Sequence, residues 1–374
     1  MAGKKKVIVL YGGKSTEHEV SCRSASFVLR NLDPNLYDIQ AIGVDKQGRW
    51  HPQETQKLLA NLDKSVPIDT SPRVSGSKVN QLSTSTSFDP STSVASAAGA
   101  QQPSDVVVFP VIHGTTGEDG SLQGMLDLAE VAYVGPDTLG SAVGMDKIVT
   151  KKLAQLAGVA VVPWVEVKKQ FWKKQQDRFI KDAETTLGYP MFVKPARLGS
   201  SVGVAKAKDR GALIKACDEA FGYDDKLLIE KGMDVREIEC AVLGDYDPEV
   251  SLPGEVINHT EFYSYEAKYV DKAATSISVP AKLTSEQTEE ARALAKRVFQ
   301  ALELYGMARV DLFLEKSTGK YYLNEVNTIP GFTEISQYPM LWEASGLKPK
   351  DLIRRLIDLA VARRDERAAL KRSH

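Results

Sequence analysis

The segment ARVDLFLEKSTGKYYLNEVNTIPGF near the C-terminus constrains the fold most strongly, because it has the pattern of two strands joined by the short turn KSTGK. Side chains alternate between the two faces of a strand. A hairpin that folds about this turn places Asp311 opposite Glu325 and Arg309 opposite Asn327. The same alternation predicts that Leu323 shares a face with Glu325 and Asn327.

The two facing carboxylates make this hairpin a candidate cation site. Like charges directly opposite each other destabilise a ladder unless a cation lies between them. Carboxylate and amide oxygens suit Mg²⁺, which commonly also binds nucleotide phosphates. The other interpretation is a charged, solvated outer face of a sheet. Against it, Val310 and Leu312 predict that the opposite face is well buried. The sequence therefore predicts a magnesium site made by Asp311, Glu325 and Asn327.

Length and composition limit the class of protein. The 374 residues suffice for two or three domains, and the hydrophobic fraction of 43% is that of an ordinary globular protein. A net charge of -1 gives no electrostatic reason to expect nucleic acid or a membrane as a partner. The three cysteines fit neither a disulfide framework nor a zinc site, and the apolar runs are strand-sized. We therefore expect a cytoplasmic protein without a membrane span.

Strand and helix patterns alternate at the start of the chain, which is typical of a mostly parallel α/β domain. This domain is predicted at residues 1–140. Within it, residues 66–104 are rich in Ser, Thr, Gly and Ala without an apolar period, which indicates an insertion or long surface loop. Two α+β subdomains are predicted to follow, at residues 141–230 and 231–374.

Three further motifs are candidates for ligand binding. KPARLGSSVGV starts at Lys194 and reads as strand, Gly/Ser loop and strand, which suits phosphate oxygens or, alternatively, a plain turn. In GGKSTEHEVS, a Thr16–Glu19 capping box predicts a helix start near Thr16, and Glu17 either complements the helix dipole or binds a substrate ammonium. In HGTTGEDGSLQG, His113 either orients a substrate carboxylate or hydrogen-bonds the loop backbone.

Together with GMDK, EKGMDVREIE, YEAKY and NEVNTIPGFTEIS, these motifs resemble in order and chemistry the ATP-grasp superfamily and, within it, the D-alanine–D-alanine ligases. The resemblance covers almost the whole chain and leaves the Ser-rich insertion without a counterpart. It implies a three-domain ATP-grasp fold, α/β and α+β, in which two α+β subdomains clasp ATP. It also implies ATP-dependent joining of two D-alanine molecules through an acylphosphate, with release of ADP and phosphate, for peptidoglycan synthesis. ATP as co-substrate, two Mg²⁺ or Mn²⁺ ions and a homodimer belong to the same expectation.

The resemblance implies roles for individual residues of this chain. The implied nucleotide-binding residues are Lys147, Lys194, Ser200, Ser201, Glu230, Met233, Glu237 and Lys268. The implied D-alanine-binding residues are Glu17, His113, Lys268, Tyr269, Ser336 and Gln337. The residues implied at the reacting groups are Glu17, Ser200, Tyr269, Arg309 and Gly331. The implied metal ligands are Asp311, Glu325 and Asn327.

Two positions depart from the family pattern, and several other functions stay open. Gly232 replaces a bulkier apolar residue expected beside adenine, and Gln337 stands where a hydrophobic residue is expected. The other interpretations are a different ATP-grasp carboxylate–amine ligase, a relative that uses D-lactate, and a nucleotide-binding protein that no longer catalyses. Tyr269 favours an amine nucleophile, and the complete metal-ligand set argues against loss of catalysis. A nicotinamide dehydrogenase is disfavoured because the G-x-G-x-x-G fingerprint is missing.

Overall fold

The computed structural model describes residues 4–60, 62, 65–70, 106–258 and 275–371. Three β-sheets organise these residues, and they follow one another along the chain. Most of the predicted insertion lies outside the described residues. Lys268 and Tyr269 also lie outside them, so the roles implied for these two residues stay predictions.

The first sheet is mostly parallel, as predicted. Its elements are β1 (Lys5–Gly12), α1 (His18–Asn31), β2 (Tyr37–Val44), β3 (Trp50–Pro52), α2 (Thr55–Ala60), β4 (Val106–Pro110), α3 (Ser121–Leu128), β5 (Ala132–Tyr133) and α4 (Thr138–Met145). The strand order is β3-β2-β1-β4-β5, in which only β3 is antiparallel to its neighbour. Parallel strands are buried on both faces, which explains the continuous apolar runs in β1 and β4.

Helix α1 begins without the predicted capping box. Glu17, and not Thr16, occupies the N-cap position, and its side chain makes no capping hydrogen bond, so the Thr16–Glu19 prediction is wrong. Glu19 instead lies 2.5 Å from Lys46 in an exposed ion pair. The Glu17 carboxylate therefore makes no capping hydrogen bond to the helix that it precedes.

The second sheet is antiparallel, and two of its helices pack on one face. Its elements are α5 (Lys147–Leu156), β6 (Trp164–Lys168), α6 (Lys169–Thr186), β7 (Met191–Pro195), β8 (Ala205–Ala207), α7 (Arg210–Ala220) and β9 (Lys226–Lys231). The strand order is β6-β9-β7-β8. Trp172, Val193 and Leu213 belong to the core between this sheet and helices α6 and α7. Because side chains alternate along β7, Lys194 lies on the opposite face, away from that core.

The third sheet is also antiparallel and contains the predicted hairpin. Its elements are β10 (Val235–Gly244), β11 (Glu249–Val250), β12 (Gly254–Asn258), β13 (Thr275–Ser278), α8 (Ser285–Ala301), β14 (Gly306–Glu315), β15 (Tyr321–Asn327), α9 (Gln337–Ala344) and α10 (Pro349–Ala368). The strand order is β13-β12-β10-β14-β15, with β11 beside β10. Helix α8 covers one face and begins with a capping box formed by Thr284 and Gln287.

Helix α10 holds the first sheet against the third. One continuous core joins residues of β1 and β4 with residues of α9, α10 and β10. Inside it, the buried Arg363 donates hydrogen bonds to the carbonyls of Gly135 at 2.6 Å and Tyr133 at 2.8 Å. Its guanidinium also lies over the rings of Tyr133 and Tyr305. This packing fixes the loops of the first sheet beside the hairpin.

Candidate active site

The polar residues of the hairpin lie where the sequence predicts. β14 and β15 pair with Asp311 opposite Glu325 and Arg309 opposite Asn327. Asp311 is 7% exposed. It accepts two hydrogen bonds from the Arg309 guanidinium, each at 2.8 Å, and a third from Asn327 Nδ2 at 2.9 Å. A guanidinium therefore neutralises the Asp311 carboxylate in this structure.

A β-bulge changes the face of one predicted residue. The register shifts just after the facing carboxylates, so that Leu312 pairs with Leu323 and Asn324 becomes the extra residue. Leu323 is fully buried in the same core as Leu312, so the prediction that it shares a face with the carboxylates is wrong. Instead, Asn324 Oδ1 accepts a hydrogen bond from Lys194 at 3.2 Å. No glycine or turn motif in YYLNEVN signals this bulge.

A third acidic residue belongs to the same row. Glu239 on β10 pairs with Asp311 on the side away from Glu325. Its Oε2 lies 2.8 Å from Arg309 Nε, whose hydrogen is directed at Asp311, so the contact with Glu239 is electrostatic. Burial acts to lower the pKa of Arg309, but the Asp311 and Glu239 carboxylates raise it well above its ordinary value. Sequence reasoning missed Glu239 because REIECAVLG reads as an ordinary strand.

Two predicted phosphate-binding lysines face the hairpin from the second sheet and its first helix. Lys147, the first residue of α5, lies 3.2 Å from Glu325 Oε2 and donates a hydrogen bond to the Leu198 carbonyl at 2.7 Å. Lys194 on β7 lies 2.5 Å from Glu230 Oε2. The ammonium groups and the hairpin carboxylates thus come from different parts of the chain and meet between two sheets.

Glu230, which is predicted at the adenine edge, is buried between two lysines. Lys151 Nζ lies 2.6 Å from its Oε1, and Lys194 approaches its other oxygen. Burial acts to raise the pKa of Glu230, but the two ammonium groups outweigh it and lower that pKa. Sequence reasoning missed Lys151, although its spacing from the buried Ile148 and Ala154 places it on the apolar side of α5.

The Gly/Ser loop reaches the first domain through Glu17. The Ser200 hydroxyl donates a hydrogen bond to Glu17 Oε1. Ser200 and Ser201 have φ values of 52° and 58°, a left-handed conformation that is uncommon for residues with a side chain. Ser15 links Glu17 to His113. Its Oγ accepts a hydrogen bond from the Glu17 amide at 2.9 Å and donates one to the His113 carbonyl at 2.8 Å. The structure therefore brings together the predicted residues Glu17 and Ser200.

His113 connects the first domain to the loop after the hairpin. It is 3% exposed, and its Nδ1 lies 2.9 Å from the Ile329 carbonyl. Its Nε2 lies 2.8 Å from Ser24 Oγ, which also accepts a hydrogen bond from the Phe332 amide. Burial acts to lower the pKa of His113, but the nearby Glu118 carboxylate raises it above its ordinary value. Backbone and hydroxyl groups thus occupy both ring nitrogens, and the substrate-orienting role stays a prediction.

The loop after the hairpin brings Gly331 and Ser336 together. A Cβ on Gly331 would lie 2.8 Å from Ser336 Oγ, so a larger residue there would displace the serine. Ser336 Oγ also accepts a hydrogen bond from the Thr333 amide at 3.0 Å. Gln337 starts α9, and among the described residues its buried Oε1 has no hydrogen-bond partner. The predicted contribution of Ser336 and Gln337 to a substrate pocket stays a prediction.

The Gly232 departure has a steric cause. The Gly232 amide donates a hydrogen bond to the Pro190 carbonyl at 2.8 Å, and a Cβ at this position would lie 2.6 Å from the same oxygen. The close approach of the two backbones therefore excludes a bulkier residue. Met233 beside it is partly buried. Glu237, predicted at the ribose, accepts a hydrogen bond from Asn258 Nδ2 at 2.9 Å.

The donor chemistry of the hairpin fits a divalent cation. Asp311, Glu325 and Asn327 supply hard oxygen atoms in two rows of one ladder, with the Val310–Val326 row between them. Within the described residues, no three His, Cys, Asp or Glu side chains converge into a ready cage. The set therefore fits an ion such as Mg²⁺, which completes its coordination with ligand oxygens and water. In this structure, Arg309 and Lys147 balance the charge of the two carboxylates.

Family models match most of the chain. The model described as D-ala D-ala ligase N-terminus matches residues 6–136, and the model described as D-ala D-ala ligase C-terminus matches residues 153–358. The described helices include none that is both long enough and apolar enough to cross a membrane.

Relatives with the same family description match over their full length. A D-alanine–D-alanine ligase from Caldicellulosiruptor bescii is 45% identical, with 99% of each chain covered. D-alanine–D-alanine ligase A from Escherichia coli is 42% identical, with 98% of this chain and 99% of the relative covered. The solved structure of the VanG D-Ala:D-Ser ligase from Enterococcus faecalis superposes with a TM-score of 0.77 at 35% identity, covering 96% of this chain and 100% of the other. The chain therefore belongs to the D-alanine–D-alanine ligase family.

Proposed function

We propose that this chain joins two D-alanine molecules into D-alanyl-D-alanine, with conversion of ATP to ADP and phosphate, for peptidoglycan synthesis. The observation that carries the proposal is the meeting of two kinds of charge between two sheets. Asp311 and Glu325 face each other on the hairpin, while Lys147 and Lys194 approach from the other side. The chemistry of such a site suits a nucleoside triphosphate together with a divalent cation.

The nucleotide lies between the second and third sheets in this proposal. Lys147 and Lys194 contact its phosphates, while Met233 and Glu237 contact the base and the ribose. Glu230 lies at the adenine edge, Ser200 and Ser201 lie in the loop over the phosphates, and Lys268 reaches the terminal phosphate. Asp311, Glu325 and Asn327 would hold two Mg²⁺ or Mn²⁺ ions, whose positive charge would offset that of the phosphates.

The first step forms an acylphosphate. Glu17 binds the ammonium of the first D-alanine, and His113 orients its carboxylate. One carboxylate oxygen attacks the γ-phosphorus of ATP, the bond from that phosphorus to the β,γ-bridging oxygen breaks, and ADP carries away the electron pair. Positioning and charge stabilisation supply most of the rate in a transfer of this kind.

The second step forms the peptide bond. The free amine of the second D-alanine attacks the acylphosphate carbonyl, and the tetrahedral intermediate expels phosphate. Arg309 and the Gly331 amide stabilise the oxyanion, and one donor of this kind is worth about 3 kcal/mol. Tyr269, Ser336 and Gln337 shape the pocket of the second D-alanine, which also includes Ser200.

The proposal extends to the location, assembly and domain bounds of the chain. The chain works as a cytoplasmic homodimer. Its first domain spans residues 1–140, its central subdomain residues 141–230 and its C-terminal subdomain residues 231–374. Two subdomains of this kind clasp the nucleotide that lies between them.

An ADP-release assay with D-alanine tests the proposed function. Purified protein with ATP and Mg²⁺ should release ADP in proportion to D-alanyl-D-alanine, which mass spectrometry identifies. L-alanine is the matched control and should give neither product. Mixtures of D-alanine with D-serine or D-lactate test the second pocket. If the main product contained D-serine or D-lactate, that molecule would replace D-alanine as the proposed second substrate. Absence of D-alanine-dependent ADP release from folded protein would refute the proposal.

A further inference from the structure

Lys151 is a buried charged residue that the proposed steps do not use. It lies on α5, one turn after Lys147, and is 0% exposed. Its ammonium lies 2.6 Å from Glu230 Oε1 and donates a hydrogen bond to the Leu323 carbonyl at 3.2 Å. Leu323 directly precedes the bulge that directs Asn324 to Lys194. The Lys151 ammonium thus joins the second sheet to the hairpin.

Glu230 is shared between this ammonium and a second one. Its other oxygen lies 2.5 Å from Lys194 Nζ, and the Glu230 side chain is 2% exposed. The Lys194 side chain is 14% exposed and lies over the Phe313 ring, on the face of β14 that carries Asp311. Of the three charged groups, Lys194 is the one that reaches the open site.

The formal charges of this triad determine what Lys194 can do. Burial lowers the pKa of Lys151, although the Glu230 carboxylate 2.6 Å away acts to raise it. With all three groups ionised, the two ammonium groups and one carboxylate of Lys151, Glu230 and Lys194 give this triad a formal net charge of about +1. Without Lys151, the remaining pair would be neutral. A neutral ion pair attracts phosphate far less than a net cation does, because the field of its carboxylate opposes that of its ammonium. Glu230 therefore fixes Lys194 in place, but it also reduces the attraction of Lys194 for an anion.

We propose that Lys151 is a positioning residue that offsets the Glu230 charge and so leaves the charge of Lys194 available for nucleotide phosphates. The inference rests on the proposed function, since it takes the phosphate contact of Lys194 from it. A merely structural Lys151 would instead be needed for the Leu323 carbonyl and for packing. The two roles predict different effects on nucleotide affinity.

Calorimetric titration of the whole chain with ADP and with adenosine separates these roles. The ratio of the two affinities reports the contribution of the phosphates, because effects on the base cancel. We expect Lys151→Met to lower this ratio by about tenfold or more, as loss of a nearby buried charge predicts. Lys152→Met is the matched control, because Lys152 is the next residue of α5 and its side chain is 53% exposed. It should leave the ratio unchanged.

Two further variants distinguish charge from packing. Lys151→Gln keeps a hydrogen-bond donor for the Leu323 carbonyl but lacks the charge, and it should lower the ratio as Lys151→Met does. This variant also serves if Lys151→Met does not fold. The double variant Lys151→Met/Glu230→Gln removes both opposite charges and returns the triad to its original net charge. It should restore most of the ratio.

The possible outcomes are decisive. A wild-type ratio in Lys151→Gln would show that the hydrogen bond matters rather than the charge, and it would overturn the inference. A double variant with an even lower ratio of ADP affinity to adenosine affinity than Lys151→Met would overturn it as well. ADP release with D-alanine by the wild type, combined with unchanged ratios in the variants, would refute this inference alone. A folded wild type without such release would refute the proposed function and this inference together.

Discussion

Asp311→Asn should destabilise the protein even when no metal is present. Two facing carboxylates suggest the opposite, because removal of one charge would relieve their repulsion. In the structure, however, Asp311 accepts two hydrogen bonds from Arg309 and one from Asn327. An asparagine keeps one accepting oxygen but turns an NH₂ group towards donors, so at least one donor loses its partner.

The size of this effect follows from the contacts. A hydrogen bond to a charged group contributes about 1.5–3 kcal/mol, and breaking a buried ion pair completely costs about 3–5 kcal/mol. Arg309 keeps its contact with Glu239 at 2.8 Å in the variant, so the loss is incomplete. We therefore expect Asp311→Asn to lower the free energy of unfolding by about 2–3 kcal/mol.

Urea unfolding at neutral pH, without nucleotide or divalent ions, measures this change. Asp225→Asn is a suitable control, because Asp225 also contacts an arginine but its side chain is 74% exposed. It should leave the unfolding midpoint unchanged. The folded Asp311→Asn variant should also release no ADP with D-alanine. An unchanged or raised midpoint would refute the pairing argument, and wild-type turnover at ordinary Mg²⁺ would refute the metal site.

Four other variants test separate parts of the structure. Arg309→Lys should lose about a hundredfold or more in kcat, with a small change in ATP affinity, because an ammonium lacks the planar fork; a kcat near that of the wild type would refute this role. His113→Gln should destabilise the protein more at low pH than at high pH. The pKa of His113 is raised in the folded protein, so protonated His113 adds stability below its ordinary pKa, and this stability is lost as the pH rises through the folded pKa. A larger difference between the urea midpoints of variant and wild type at high pH would contradict this. Gly232→Leu should cost about 1–3 kcal/mol of unfolding free energy through its clash with Pro190, and a stabilised variant would refute that clash. Arg363→Ala should cost about 3 kcal/mol or more, because two buried carbonyls lose a charged donor, and a loss below 1 kcal/mol would argue against it.

Local sequence pattern predicted the parts of the site that lie within one hairpin. The register that sets Asp311 opposite Glu325 follows from strand alternation and the short turn, both of which the sequence displays. The bulge at Asn324 could not be predicted, because a bulge depends on what the strand packs against. Here the Leu323 amide bonds to the Ala160 carbonyl at 2.8 Å, a partner far away in sequence.

Contacts between sheets were the harder part of the prediction. Lys151 shares the apolar side of its helix with Ile148 and Ala154, but only the fold shows that Glu230 and the Leu323 carbonyl pair with its ammonium there. Glu239 likewise looks like one polar residue of an alternating strand, until β10 pairs with β14 and sets it beside Arg309. The Thr16–Glu19 capping box shows the reverse case: the motif is present, but Glu17 takes the N-cap position.

The charge pairs in this site have a consequence for how it takes up its ligands. Glu325 is paired with Lys147, and Asp311 with Arg309. Phosphates that draw Lys147 away leave Glu325 without its cation, which favours the arrival of a divalent ion. An ion bound first would in turn release the ammonium for the phosphates. Whichever ligand binds first would separate the Lys147–Glu325 pair, so the second ligand would bind without the free-energy cost of separating it. Such mutual strengthening is positive coupling between two binding events. The proposed nucleotide and metal sites would therefore depend on each other through the exchange of these paired charges.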